Sequence, residues 1–188
     1  PTLFHMHEAD TLLPDGDQWL SAPDSLTMIA PMMEKYLSTL KEDRAQLVRR
    51  FRIVDAAFKV VGVGSVGSRC WIAYLRGRDE GDPLFLQIKE AEASVLERHL
   101  ARSAYSNHGR RVVEGQRLMQ SASDMLLGWT QVEGLDGVRR DFYVRQMWDW
   151  KTSADLETMD HLAMEVYARV CGWTLARAHA RSGNRFAI

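Results

Sequence analysis

The spacing of apolar residues changes along the chain, and each change predicts a different element. Residues 1–30 mix Pro, Asp, Ser and Thr with scattered apolar positions, a pattern of mostly irregular or short extended structure. Pro31 suits the first turn of a helix, and Met32, Met33, Tyr36, Leu37 and Leu40 come after it at helical spacing. A second helix is predicted over 42–51, with Ala45, Leu47, Val48 and Phe51 inward. Residues 58–63 are β-branched and aromatic and read as a strand. Residues 69–75 (RCWIAYL) and 84–89 (LFLQIK) read as two more strands, joined by the turn RGRDEGDP. A short helix fits 94–100, and Asn107 is placed to cap a longer one over 108–123, carrying Val112, Val113, Gln116 and Met119. DMLLGWTQV and RDFYVRQMWDWK read as strands around the turn EGLDG. From 159 to 180, Leu162, Val166, Val170, Trp173 and Ala176 or Arg177 keep the helical period, and Gly183 stands just beyond as a stop.

Consecutive strands joined by tight turns imply an antiparallel sheet, hence an α+β fold. The expected plan is a sheet of about five strands with a packed helix and further flanking helices. It divides as an N-terminal irregular and helical segment over 1–52, a sheet-bearing lobe over 53–152, and a C-terminal helix over 153–188 that would open a helical lobe.

Gly62-Val63-Gly64-Ser65-Val66-Gly67 is a G-x-G-x-x-G. Glycine lets the backbone approach phosphate where a Cβ would block it or demand a strained φ. Alone the motif is weak, and the residues C-terminal to it decide between two sites. A dinucleotide turn needs a helix at the third glycine. Here that helix would carry Cys70, Trp71, Ile72, Ala73, Tyr74 and Leu75 with no polar face, and Gly77 and Gly81 would end it early. One feature favours it: Glu90 or Glu92 stands about twenty residues on, where a ribose-binding acid is expected. A kinase-type lobe needs strand, glycine turn, strand, tight turn, and a third strand ending near a Lys. Lys89 ends FLQIK, similar to the V-A-I-K of kinases. That Lys would neutralise phosphate charge while a helix Glu holds it, either Glu97 or, on the longer helix, Glu114. Backbone groups at Gln146, Met147 and Trp148 would meet an adenine. The kinase-type order fits better; a dinucleotide fold and a purely structural turn stay open.

Several blocks together, KVVGVGSVGSRCW, DPLFLQIKEAEASVLE, NHGRRVVEGQRLMQSASDMLLGW, DFYVRQMWDWK and CGWTLARAHARSG, resemble the bacterial domain-of-unknown-function family 2252. The resemblance spans about residues 40–183. It implies a kinase-like core in which blocks similar to catalytic and metal-binding loops lie upstream of the glycine hairpin. No such block occurs here, and the chain starts at Pro1 rather than Met, so it reads as a piece of a longer protein with little turnover of its own. Gly62, Gly64, Ser65 and Gly67, with Lys89 and Glu114, become the candidate ATP-binding residues, Gln146 and Met147 the adenine contacts, and the Mg2+ ligands lie outside this chain. The expected partners are a nucleotide and that upstream catalytic segment. The alternatives are a binding or regulatory module with a degenerate nucleotide site, or an NAD-type domain.

Composition narrows the picture further. The 188 residues carry a net charge of −1, from 24 basic and 25 acidic side chains, which points to no nucleic acid or anionic membrane partner. No stretch has the roughly 20 apolar residues of a membrane span, and no signal peptide is visible. Cys70 and Cys171 sit far apart in apolar segments and read as buried thiols of a cytoplasmic protein. AHARSGN holds His179 and Asn184 but lacks the Asp of a kinase catalytic loop, and its basic turn of Arg177, His179 and Arg181 suits a helix C-terminus. HMHE, with His5 and Glu8, has no supporting metal cluster. Trp148 and Trp150 share a strand face and read as core, and Asp155 and Asp160 read as acids near a helix start.

Overall fold

Alternating apolar side chains build five strands into one antiparallel sheet in the order β1-β2-β3-β5-β4. These are β1 (Arg52–Phe58), β2 (Cys70–Arg76), β3 (Pro83–Ala91), β4 (Gly128–Glu133) and β5 (Arg139–Gln146). Helices α1 (Ala22–Leu37) and α2 (Glu42–Val48) precede the sheet. A 3-10 turn at Val95–Arg98 and α3 (His108–Met119) lie between β3 and β4, and α4 (His161–Ser182) comes after β5. The computed structural model describes residues 22–58, 68–134, 136–147, 154–184 and 186. The fold is the expected α+β class.

The core forms on one face of the sheet. Ala56, Trp71, Ala73, Leu75, Leu84, Leu86, Ile88, Phe142 and Val144 meet Ile29, Met32, Met33, Tyr36 and Leu37 of α1, with Ala45 and Val48 of α2 at the side. The helices of 22–52 therefore share a core with the sheet. Tyr36 is fully buried and donates its hydroxyl to the Leu126 carbonyl at 2.5 Å. Burial, and next the nearby Asp124 carboxylate, push its phenol pKa well above 10.0. A Cβ on Gly128 would fall 2.8 Å from the Tyr36 ring, so glycine is what lets the ring close on the strand. The end of α1 and the turn after it also protect the β4 edge: Thr39 Oγ1, whose proton goes to the Tyr36 carbonyl at 2.7 Å, accepts from the Trp129 amide at 3.1 Å, and Lys35 Nζ donates to the Gln131 carbonyl at 3.2 Å.

Several elements depart from the sequence pattern. Helix α1 begins at Ala22 and runs through Pro31 rather than starting there. The ring removes one helical N–H, but Pro31 is solvent-facing while Ile29, Met32, Met33 and Tyr36 are packed on the sheet, so tertiary burial carries the helix past it. Helix α2 stops at Val48; Leu47 is exposed, and Phe51 packs at the core margin. Strand β1 covers 52–58, a stretch not expected as strand, and a register shift between Ile53 and Asp55 breaks its alternation; the strand expected over 58–63 lies, Phe58 apart, outside the described residues. The stripe of Leu162, Val166, Val170 and Trp173 that keeps the helical period on α4 is more than half exposed at each position. Cys70 is buried as expected, whereas Cys171, on that uncovered helix, is exposed.

Replacing Tyr36 with Phe leaves the Leu126 carbonyl without its partner and is expected to cost about 1–2 kcal/mol in urea unfolding at neutral pH. Above pH ~10 the unfolded tyrosine ionises while the buried phenol keeps its proton, so the wild type loses stability there and the gap to Tyr36→Phe narrows. A constant gap between pH 7 and 11 would contradict this role.

Candidate functional site

Side chains alternate along β3, so Leu84, Leu86 and Ile88 face the core and Phe85, Gln87 and Lys89 face the opposite side. Antiparallel partners share that side. Lys89 lies between Cys70 of β2 and Tyr143 of β5, and Gln87 lies between Ile72 and Arg145. Gln87 is only 6% exposed, and its Oε1 accepts from Arg145 Nε at 3.1 Å and Nη2 at 2.9 Å. This fixes the amide orientation and leaves Gln87 Nε2 with donors to offer. Lys89 is half-buried and meets no acidic side chain among the described residues. Burial raises the Tyr143 phenol pKa; the neighbouring Arg145 lowers it and Cys70 raises it. The centre of this face therefore presents two cations, an amide NH2 and a phenol, a set suited to a ligand rich in anionic oxygens.

Helix α3 covers the β4–β5 side of the same face. Asp141 fixes its start: the carboxylate accepts from Asn107 Nδ2 at 2.8 Å, the His108 amide at 2.7 Å and Gln131 Nε2 at 2.8 Å. Asn107 Oδ1 in turn caps the Arg110 amide at 2.8 Å, the expected N-cap. A Cβ on Gly109 would collide with the Phe142 carbonyl, so only glycine permits this approach. Arg110 and Arg117 lie over the Trp129 ring at 5.4 and 5.8 Å. Glu114 pairs with Arg117 at 3.4 Å and makes no hydrogen bond or ion pair with Lys89 among the described residues. At about 100° per residue the flank turned towards β3 carries Val112 and Gln116 instead. Glu97, the other candidate, accepts from the Ser103 amide at 3.4 Å. Beyond Ala91 a cavity of about 600 Å3 opens, lined by Glu92, Ser94, Glu97, Arg98, Arg102, Tyr105 and His108 among others.

Gly62, Gly64, Ser65 and Gly67 lie outside the described residues, as do Trp148, Trp150, His5 and Glu8. The strands flanking the glycines are described: β1 and β2 are adjacent and antiparallel, so the glycine-rich segment connects hairpin partners. Residues 70–76 are strand, where a dinucleotide turn requires a helix. Glu90 points to the core side of the sheet; Arg69 donates its amide and Nη1 to Oε2, each at 3.1 Å, and Arg140 Nε lies 3.6 Å from Oε1. Glu92 is exposed. The adenine contacts meet an obstacle: the Gln146 amide donates to Asp124 Oδ2 at 2.6 Å and the Met147 amide to the Phe85 carbonyl at 2.8 Å. Asp160 caps α4 by accepting from the Ala163 amide at 2.7 Å, Asp155 accepts from the Glu157 amide at 3.2 Å, and His179 is exposed. Asn184 accepts from the Phe186 amide at 3.0 Å.

Sequence reasoning missed Gln87, Tyr143 and Arg145. The signal was present, since LFLQIK and DFYVRQ written in alternation place Gln87 with Lys89 and Tyr143 with Arg145. Among the described residues no three His, Cys, Asp or Glu side chains gather as a metal site, and no helix is long and apolar enough to cross a membrane.

Fold and site together define an α+β protein with a donor-rich, cationic patch on the open face of an antiparallel sheet. Residues 2–188 match the family described as "Uncharacterized protein conserved in bacteria (DUF2252)", and the chain belongs to that family. Comparison with curated proteins and with solved structures found no match.

Asp141→Ala leaves three donors around the start of α3 without their acceptor and is expected to cost about 2–3 kcal/mol. Hydrogen exchange should speed up at 107–111 far more than in β2. Uniform loss of protection, or none, would contradict the anchoring role.

Proposed function

We propose that this chain is the nucleotide-binding portion of a kinase-like phosphotransferase, taking an ATP-like polyphosphate with Mg2+ against the sheet face that carries Lys89. The observation that carries the reading is the strand order: the glycine-rich segment joins two adjacent antiparallel strands, and Lys89 stands on the next strand, opposite the first residue of β2. In this reading Gly62, Gly64, Ser65 and Gly67 provide backbone N–H groups and Lys89 provides charge. Arg145 and Gln87 add donors beside it. Glu114, engaged by Arg117, would have to change partner to steady Lys89. When bound, Mg2+ would supply charge neutralisation for the phosphates. The described residues gather no ligand set for the metal, so no step is assigned through it.

A second reading, a non-catalytic binding module with a degenerate nucleotide site, draws support from the engaged amides of Gln146 and Met147. Both readings place anionic oxygens at Lys89. Thermal denaturation with Mg-ATP and with NAD tests them. A ligand at about a hundred times its Kd adds roughly 2.7 kcal/mol of stability. Mg-ATP is expected to stabilise the chain, Lys89→Ala to abolish the effect, and NAD to do nothing. Stabilisation by NAD, or by Mg-ATP equally in Lys89→Ala, would contradict the proposal.

A further inference from the structure

Phosphate binding leaves one feature of this face unexplained. Tyr74 and Phe85 oppose each other across β2 and β3 and stack, with ring centroids 5.0 Å apart and planes 21° apart. Phe85 is 42% exposed, a large apolar surface beside the buried Leu84 and Leu86. Burial against the core accounts for neither ring, because both stand on the side away from α1. They share that side with Lys89, which lies about 13 Å further along β3 at the usual strand rise. Gln87 and Arg145 occupy the interval and present donors.

The same end of the sheet shows how a ring could be held and how it could not. The Phe85 carbonyl receives the Met147 amide, and Asp124 takes the Gln146 amide, so neither N–H is free to read the edge of a base. Asp55, opposite Tyr74, already accepts from the Ala56 amide through Oδ1. What remains is the exposed aromatic surface. Every base has a π-face, so stacking on it holds a base without selecting it.

We infer that the Tyr74–Phe85 pair is the stacking platform for the base of a purine nucleoside polyphosphate whose phosphates lie towards Lys89, and that the site does not discriminate adenine from guanine. The inference rests on the phosphate reading of Lys89. The spacing suits it: the step from Phe85 to Lys89 is comparable with the reach from base to terminal phosphates in an extended nucleotide.

Equilibrium binding of Mg-ATP, Mg-GTP and inorganic tripolyphosphate to the wild type, Phe85→Ala, Phe85→Trp and Lys89→Ala separates the layers. ATP and GTP are expected to bind within about threefold of each other, the small ratio left when no polar contact reads the base. Phe85→Ala should weaken both by about tenfold and leave tripolyphosphate unchanged, while Phe85→Trp keeps the nucleotide affinity. Lys89→Ala should weaken all three. If Phe85→Ala leaves both nucleotides unchanged, or one purine binds more than about tenfold tighter, the platform is overturned while loss at Lys89→Ala keeps the phosphate reading standing. Wild-type protein that binds none of the three overturns the phosphate reading itself.

Discussion

The register of β3 between β2 and β5 is the constraint on which the rest of the molecule depends. Side chains on a strand alternate with period two, so a slip of one residue would drive Lys89 and Gln87 into the core and push Leu86 and Ile88 out. Pairing on both sides forbids the slip. Ile88 lies between Trp71 and Val144, all buried on the core face, so the hydrophobic effect fixes Lys89 to the opposite face without any contact made by the lysine itself. The position of the charge is a consequence of where its apolar neighbours must go.

The two faces of the sheet then differ in character, one sealed by apolar side chains and the other keeping polar ones. Helix α1 seals one with methionines, Ile29 and Tyr36, and Lys35 in its last turn with Thr39 just beyond it supplies hydrogen bonds to the β4 edge. On the other face, α3 is fixed by Asp141 and lies over β4 and β5, contacting β3 only lightly. One polar group on this face is satisfied within the fold. The buried Gln87 amide oxygen has both Arg145 bonds, and an unpaired amide there would carry a desolvation penalty of about 1–3 kcal/mol.

Much of the fold was legible locally. Strands β2 and β3 lie almost where the apolar and β-branched runs put them, and the caps at Asn107 and Asp160 arise from short polar side chains before a helical run. What was not legible depends on distant partners. The start of α1 is decided by a sheet that begins thirty residues later, so Pro31 misled. Strand β1 carries a register shift at Asp55 that spoils the alternation a reader looks for. On the site, Lys89 could be singled out from its strand, but whether Glu114 faces it is a matter of helix phase, which Gly109 and Val113 set by packing on the sheet. The engaged amides of Gln146 and Met147 were invisible as well, because Asp124 and Phe85 reach them from 22 and 62 residues away in sequence. The uncovered stripe of α4 shows the same limit: periodicity says that a helix has an apolar side, not what lies against it.

The central claim is that an oxyanion-bearing ligand contacts the Lys89 amine on the open sheet face. Amine acylation read by mass spectrometry tests it directly, because Lys35 of α1 and Lys41 at the start of α2, helices packed on the core face, act as internal references. Bound Mg-ATP should shield Lys89 from the reagent and leave Lys35 and Lys41 as reactive as before. Equal modification of Lys89 with and without bound nucleotide would contradict the account.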